Sequence, residues 1–287
     1  MHNAGAQRSV DLETLYRLVR WPSALGEPGA RERFQRLRTA APRLLEGLGL
    51  AGLLLSRSSI RVLDLMAGGC VGGAAFSAAL AERGKTVRLL CVDARSVVEE
   101  SYRWLEAMPP EARGRVEIEA RRGDATRLPR VLEGEGLWDI ALVWGSSLPH
   151  LSPYELLLVL AGLREVQPPH GVVLIEQDNL APRLIVNKDF KEVHADGHAL
   201  FIYKEWDHRN GMAVKLVYEL PGLRYLGVDR VRFWDVADAA AQVAVFYRVL
   251  RMREFLDYAR VWVVAGAYPR AGAPAWRELA ETVGSPA

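Results

Sequence analysis

The spacing of hydrophobic residues changes twice along the chain. Before about residue 57, apolar positions recur every three or four residues, as in Asp11–Arg20 and Ala30–Ala41. This period is typical of amphipathic helices. Ser9 and Asp11 are candidate N-caps, and Pro42 is expected to end or kink the second helix. The N-terminal part of the chain is therefore predicted to be helical.

From residue 60, short apolar runs alternate with helical patterns. Strands that alternate with helices in this way predict βαβ units and a parallel sheet. Right-handed crossovers then bring the carboxyl ends of the strands, and the loops after them, to one ligand-binding edge. The predicted strands are Ile60–Leu65, Thr86–Asp93, Val116–Ala120, Asp139–Trp144 and Gly171–Glu176, and the predicted helices are Ala74–Arg83, Ser96–Met108 and Ser152–Val166.

Beyond residue 179 the pattern changes to alternation of apolar and polar positions, which indicates half-buried strands. His198–Trp206 and Met212–Leu220 alternate on either side of a segment ending in Asn210-Gly211, a hairpin signal, and Leu223–Trp234 alternates as a third strand. We therefore expect an antiparallel meander inserted into the α/β domain. The remaining predicted elements are a helix at Arg251–Tyr258, a closing strand at Val261–Ala265 and a frayed C-terminus.

Composition narrows the class of protein. Of 287 residues, 50% are hydrophobic and 25% are charged, which is typical of a soluble globular protein and excludes a mostly disordered one. The longest apolar run, Leu48–Leu55, is too short to span a bilayer, and Met1–Arg8 lacks the apolar core of a signal peptide. Cys70 and Cys91 are too few for a disulfide framework, so we expect small buried side chains in a reducing cytoplasm.

The net charge argues against a protein whose main task is to bind nucleic acid. It is only +2, although arginine makes up 32 of the 37 basic residues. Arginine suits phosphate recognition, but a charge run is more often a solvated face than a site. The arginine-rich stretches Arg31–Arg43 and Arg251–Arg253 nevertheless leave RNA open as a possible partner.

The strongest chemical signal is the turn Ala67–Gly73, which follows the first predicted strand. Small residues allow backbone to approach a ligand closely, and the next helix presents free N–H groups. Asp93 ends the second strand, where a carboxylate can accept hydrogen bonds from both hydroxyls of a ribose. This spacing also fits a dinucleotide-binding unit. A G-x-G-x-x-G register on Gly68 and Gly73 would, however, place Cys70 at the middle glycine, which argues against that alternative.

Four consecutive motifs resemble the class I S-adenosylmethionine-dependent methyltransferase family. Met66 and Cys70 depart from the first motif, because they replace its first and third glycines. The motifs are Val62–Gly68 for the glycine-rich loop, Val92-Asp93 for the ribose-binding acid, Gly123-Asp124-Ala125 for the residues beside the adenine, and Trp138–Trp144 for the fourth strand.

The resemblance implies an α/β fold with a Rossmann-like, doubly wound, mostly parallel seven-stranded sheet. It would comprise an N-terminal helical segment (1–58), a cofactor-binding core (59–180), the antiparallel β-meander inserted after the fifth strand (181–248), and a C-terminal helix with the closing strand (249–287). We expect the meander to roof the acceptor pocket. The implied cofactor is S-adenosyl-L-methionine, and its candidate ligands are Asp64, Ala67, Gly68, Gly69, Asp93, Ala94, Asp124, Ala125 and Trp144.

Several of these residues also have a purely structural interpretation. Asp64 could anchor the loop, Asp93 could cap the helix near Ser96, Asp124 could cap a turn, and Trp144 could be ordinary core.

The substrate side is expected in the loop after the fourth strand. His150 is the candidate catalytic residue, because an imidazole with an ordinary pKa of about 6.5 suits a proton acceptor. It could equally be a structural residue before the next helix. Candidate substrate contacts are Tyr16, Ser146, Glu176 and Asn179. No metal site is predicted, since His194 and His198 border a strand.

The predicted function is methyl transfer from S-adenosylmethionine to a small-molecule acceptor, without a membrane partner. The loop after the fourth strand lacks the Asn/Asp-Pro-Pro-aromatic motif of amino-methylating nucleic-acid and protein-glutamine enzymes. An RNA or protein methyltransferase is the enzymatic alternative. A catalytically silent S-adenosylmethionine-binding interaction subunit is the third.

Overall fold

The computed structural model describes residues 8–19, 21–52, 56–178, 184, 188, 190–255 and 261–284. Its helices are α1 Leu12–Leu18, α2 Ala30–Gly47, α3 Val71–Ala81, α4 Trp104–Ala107, α5 Pro110–Arg113, α6 Leu128–Val131, α7 Pro153–Glu165, α8 Val236–Phe246 and α9 Trp276–Gly284, with 3-10 helices at Ser96–Arg103, Ala125–Arg127 and Leu148–His150. Its strands are β1 Ser59–Leu65, β2 Thr86–Asp93, β3 Val116–Arg122, β4 Ile140–Val143, β5 Val172–Asp178, β6 Val193–Asp196, β7 Ala199–Asp207, β8 Met212–Glu219, β9 Arg224–Val231, β10 Tyr247–Glu254 and β11 Val261–Pro269.

The main sheet has seven strands in the order β10-β11-β5-β4-β1-β2-β3. Strands β1 to β5 pair in parallel, whereas β11 pairs antiparallel with both β5 and β10. The predicted doubly wound, mostly parallel seven-stranded sheet is therefore confirmed. Because β1 lies centrally, between β2 and β4, the loop after it reaches the middle of the ligand-binding edge.

Helices bury both faces of this sheet. Along β1, Val62 packs on one side with Phe34 of α2, while Leu63 and Leu65 pack on the other side with Phe246 of α8. Successive side chains of a strand point to opposite faces, so a strand covered on both sides is apolar throughout. This is why the central strands were visible in the sequence as short apolar runs.

The predicted meander is a separate antiparallel sheet of four strands, β6-β7-β8-β9. Leu15 and Leu18 of α1 pack against it on Phe201 and Val217. The backbone N–H of His198 also donates to the carbonyl of Leu18 at 2.9 Å. Helix α1 therefore packs against the meander.

Helix α2 continues through Pro42, so the predicted end there is wrong. Proline inside a helix removes one backbone hydrogen bond and costs about 3 kcal/mol. The apolar face of α2 is buried on both sides of this residue, by Phe34 and Leu37 before it and by Leu44 and Leu45 after it. Packing of both halves outweighs the lost bond.

The C-terminal prediction is also wrong in two places. The helix lies at Val236–Phe246, and Arg251–Glu254 belongs to the edge strand β10 instead. The arginines of β10 are exposed, and its pairing with β11 determines its structure. The C-terminal segment that was expected to be frayed forms helix α9. Its Trp276 packs in the core and donates from Nε1 to the carbonyl of Thr126 at 2.7 Å.

Cys70 and Cys91 are bonded to each other, contrary to the expectation of two free buried side chains. Asp64 of β1 is the register partner of Cys91 on β2, and Cys70 caps the helix that follows β1. The turn therefore folds back over the neighbouring strand, which brings the two Cα atoms to 5.9 Å, within the range that a disulfide requires. The sequence separation of 21 residues did not reveal this approach.

None of the described helices has the length and apolar character needed to cross a bilayer.

Candidate active site

Strained backbone marks the carboxyl edge of the main sheet. Three non-glycine residues in the loops there have positive φ: Met66 at 53°, Cys70 at 69° and Ser146 at 56°. Such conformations cost of order 1–3 kcal/mol each and concentrate where a loop has a functional shape. The loops after β1 and β4 are therefore the first place to look for a site.

Asp64 is the penultimate residue of β1, beneath the glycine-rich loop, and is 1% exposed. Its Oδ2 accepts a hydrogen bond from the N–H of Gly73 at 2.8 Å, so it anchors the start of α3. Its Oδ1 is buried and has no partner among the described residues. Burial raises the pKa of Asp64 to about 7. Oδ2 therefore anchors the loop, as in the structural interpretation of Asp64, and Oδ1 is available to a ligand.

Asp93 holds the same loop from the neighbouring strand and is 6% exposed. Its Oδ2 accepts from the N–H of Gly68 at 2.6 Å, and its Oδ1 accepts from Arg95 through the backbone N–H at 2.9 Å and Nε at 3.2 Å. The N–H of Ser96 donates to Glu13 instead. Asp93 therefore does not cap at Ser96, and three of its roughly four lone-pair positions are used.

A first cavity of about 290 Å³ opens beside Asp93. It is large enough for a substantial part of a small ligand. Asp124 is half exposed and accepts from the N–H of Thr126 at 2.9 Å, so it caps a turn as the structural interpretation proposed. The predicted residues that line this cavity are Tyr16, Asp93, Ala94, Asp124, Ala125 and His150.

A narrow passage of about 20 Å³ lies over the glycine-rich loop. The Nε1 of Trp144 is buried without a partner among the described residues, and its ring packs edge-on against Phe76 and Phe255. Gly69 packs behind the loop, where an added Cβ would lie 2.5 Å from the Cα of Ala24. The predicted residues that line the passage are Tyr16, Asp64, Ala67, Gly68 and Trp144.

A second cavity of about 410 Å³ lies toward β5 and β11. Ser146 and Glu176 line it, and Asn179 falls outside the described residues. Glu176 is 8% exposed, and its Oε2 accepts from the N–H of Gly145. Burial raises the pKa of Glu176, and Arg33 forms an ion pair with it, with Nη2 3.9 Å from Oε2. This cavity therefore contains a buried acid whose ion pair with Arg33 is long.

His150 and Tyr16 are joined by a hydrogen bond of 2.6 Å between Nε2 and the phenol oxygen. Burial lowers the pKa of His150, which favours the neutral imidazole, and raises that of Tyr16 to about 12. The guanidinium of Arg95 lies 3.9 Å from the centre of the Tyr16 ring. His150 thus lines the first cavity, with Asp93, and does not line the second cavity with Glu176.

Sequence reasoning missed two residues that shape the site, Arg33 and Arg95. Arg33 of α2 lies over the ring of Trp21 and lines both the passage and the second cavity. Arg95 covers Gly68 and Asp93. Their only signal was the arginine-rich composition, because the contacts arise when the N-terminal segment folds over the sheet edge.

The sequence matches no protein-family model and no curated protein. The structure is similar to an S-adenosylmethionine-dependent methyltransferase from Clostridium acetobutylicum, with a TM-score of 0.53 and 10% identity over 80% of this chain and 91% of that chain. A sugar N-methyltransferase from Streptoalloteichus has a TM-score of 0.52 and 12% identity, over 94% and 98%. The PH0226 protein from Pyrococcus horikoshii has a TM-score of 0.57 and 17% identity, over 91% and 100%. At these identities the likeness concerns the fold, and the chain has the fold of the class I S-adenosylmethionine-dependent methyltransferases.

Proposed function

We propose that the protein is an S-adenosylmethionine-dependent methyltransferase that acts on a small molecule. The observation that carries this proposal is the unpartnered, buried Oδ1 of Asp64 beside the glycine-rich loop. Buried polar atoms almost always have a partner, so an orphaned carboxylate oxygen facing a passage indicates a ligand. The ammonium group of the cofactor's amino-acid end has the charge that this oxygen requires.

The other residues fit the remaining groups of the cofactor. Arg33 lines the passage and would hold the carboxylate, since guanidinium pairs well with carboxylates. The carboxylate of Asp93 would accept hydrogen bonds from both ribose hydroxyls. One hydroxyl would use the free lone-pair position of the carboxylate, and the other would replace the 3.2 Å hydrogen bond from Nε of Arg95. Ala94 and Ala125 line the first cavity, where the adenine would lie. Because the passage is narrow, Arg33 and Arg95 would have to shift when the cofactor binds.

The cofactor would supply an activated methyl group, so the protein's own contribution is mainly orientation and exclusion of water. Holding two reactants in line can account for several kcal/mol of the barrier. The second cavity is the proposed acceptor site. It adjoins the passage through Trp21 and Arg33, which line both. Its volume of about 410 Å³ suits a small molecule.

The predicted role of His150 as a proton acceptor stays a prediction. Its position in the first cavity, bonded to Tyr16, favours a role in positioning Tyr16 beside the cofactor. The roof role of the meander is likewise a proposal. It is supported by the bond from the N–H of Arg232 to the carbonyl of Pro149, which joins the end of β9 to the loop after β4.

Binding and transfer can be tested on the purified protein. We expect calorimetry to show binding of S-adenosylmethionine and S-adenosylhomocysteine, but not of NAD. Tight NAD binding without binding of the sulfonium cofactor would contradict the proposal. Labelled methyl transfer to a protein-free extract of cell metabolites distinguishes an enzyme from a silent binding subunit.

An RNA methyltransferase is tested by a salt-dependent shift of tRNA. Reversing the charges of arginines in the stretch Arg31–Arg43 should abolish such a shift if RNA is the partner.

A further inference from the structure

Glu176 is a buried carboxylate that the cofactor does not need. It lies near the end of β5, on the wall of the second cavity, whereas the proposed cofactor contacts lie in the first cavity and the passage. Removing a carboxylate from water costs several kcal/mol unless a cation or hydrogen bonds compensate. The N–H of Gly145 donates to its Oε2 and the backbone of Ser146 adds a second hydrogen bond, so the compensation comes mainly from neutral donors.

Arg33 is too far away to neutralise Glu176 fully. The Nη2–Oε2 distance is 3.9 Å, whereas a charge-assisted hydrogen bond measures about 2.7–2.9 Å. The other end of the same guanidinium donates to the carbonyl of Pro22 at 3.3 Å. If Arg33 binds the carboxylate of the cofactor, it moves its charge toward the passage. Glu176 then faces the second cavity and requires a positive group there.

The walls of the second cavity suit a cation. Trp21 and Phe255 contribute aromatic rings, and the Trp21 ring already attracts one cation, the guanidinium of Arg33, at 4.9 Å from its centre. Among the described residues that line it, Glu32, Glu176 and Asp178 are acidic and Arg33 and Arg36 are basic, so acids outnumber bases before the cofactor occupies Arg33.

We infer that the methyl acceptor is a primary or secondary amine, and that Glu176 binds its ammonium form and removes the proton. This inference rests on the proposed function and names the acceptor atom. The N–H proton passes to the carboxylate of Glu176, and the freed nitrogen lone pair then attacks the methyl carbon. The carbon–sulfur bond breaks with its electron pair going to sulfur, which leaves S-adenosylhomocysteine and a methylated ammonium ion. Glu176 returns its proton to water.

The environment of Glu176 fits this proton transfer. Burial raises the pKa of Glu176, so its carboxylate accepts a proton more readily than an exposed glutamate does. The bond from Gly145, in the loop after β4, fixes the carboxylate at the edge where the methyl group would be presented.

The test uses labelled cofactor and two portions of one protein-free metabolite extract. One portion is untreated. The other is acetylated with an amine-selective reagent and then treated with hydroxylamine, which frees oxygen and sulfur but leaves amines blocked. We expect label to enter the untreated extract and not the acetylated one. Equal labelling of both portions would overturn the inference and assign the acceptor to oxygen or sulfur, while the proposed function would stand. No label in either portion would contradict the proposed function, and the inference with it.

Glu176→Gln supplies a second, independent readout. We expect its kcat/KM with the untreated extract to fall by about a hundredfold, which is typical for the loss of a general base. Its dissociation constant for S-adenosylhomocysteine should stay within about threefold, because Glu176 lies outside the cofactor contacts. The matched control is Glu111→Gln, an exposed acid in α5 before β3, which should change neither quantity. Full activity of Glu176→Gln, or an equal loss of cofactor affinity in a folded variant, would overturn the inference.

Discussion

Replacing Asp64 with asparagine should stabilise the fold at neutral and higher pH and at the same time weaken cofactor binding. The amide is isosteric, and its oxygen can still accept the hydrogen bond from the N–H of Gly73. The change therefore removes the charge and the unpartnered Oδ1 acceptor while the loop anchor remains. If the charge of a residue serves only the fold, its removal does not raise stability and at the same time weaken cofactor binding.

The expected gain in stability follows from the pKa of Asp64, which burial raises from 3.8 to about 7. A shift of about 3 units corresponds to about 4 kcal/mol in favour of the protonated carboxyl group. Because the folded-state pKa is the higher one, this stability is present below about pH 3.8 and is lost as the pH rises to about 7. The unpaired amide donors of asparagine offset about 1–3 kcal/mol, which leaves a net gain of about 1–3 kcal/mol at about pH 8.

The expected loss of affinity comes from the pairing of Asp64 with the ammonium group of the cofactor. A hydrogen bond to a charged group is worth about 1.5–3 kcal/mol, so S-adenosylhomocysteine should bind about 10 to 100 times more weakly. Pairing with a cation also lowers the pKa of Asp64. Binding to the wild-type protein near pH 7 should therefore release a proton, and binding to the variant should not.

Denaturant unfolding between about pH 4 and pH 8 measures the gain in the free energy of unfolding of the variant over wild type. This gain should grow with pH. Calorimetry in two buffers of different ionisation enthalpy measures the affinity and the proton release together. A variant that is less stable than wild type at the higher pH, or that binds S-adenosylhomocysteine as tightly as wild type, would refute this account of Asp64.

Three further substitutions test other parts of the site. Asp93→Ala removes a carboxylate that accepts three hydrogen bonds from the protein, so it should lower both the melting temperature and, by about a hundredfold or more, the affinity for S-adenosylhomocysteine. A lowered melting temperature with unchanged affinity would remove Asp93 from the site. Gly69→Ala would place its Cβ 2.5 Å from the Cα of Ala24, so calorimetry should show weaker binding as the loop shifts, and unaltered binding would contradict this packing. Tyr16→Phe breaks the bond to His150 and should reduce the free energy of unfolding by about 1 kcal/mol, measured with urea; no change would mean that the bond contributes nothing.

The core of the fold could be predicted because burial leaves a local pattern. Strands β1, β2, β4 and β5 are covered on both faces, so each is a continuous apolar run that ends where the chain leaves the sheet. The acids Asp64 and Asp93 stand at those ends, and parallel pairing brings them to one edge. Their positions in the site followed from the sequence for this reason.

Edge elements and long-range contacts could not be predicted in the same way. The arginine-rich strand β10 has no apolar alternation that distinguishes it from a helix, and only pairing with β11 makes it a strand. The tertiary structure likewise brought Cys70 to Cys91 and placed Arg33 between the passage and the second cavity. None of these contacts is encoded by spacing along the chain.

The hydrophobic pattern by itself determined the order of the strands from β1 to β5, the parallel sheet and the edge at which chemistry is possible, because periodicity reports which side of each element is buried. Only the tertiary structure decided that this edge holds two cavities and a narrow passage. It placed His150 with Asp93 in the first cavity and Glu176 in the second. It also left one oxygen of Asp64 without a partner among the described residues. The physical reason is that cavities and unpaired groups depend on how distant segments pack against each other, and the N-terminal segment that covers the edge carries no local signal of the contacts it makes there.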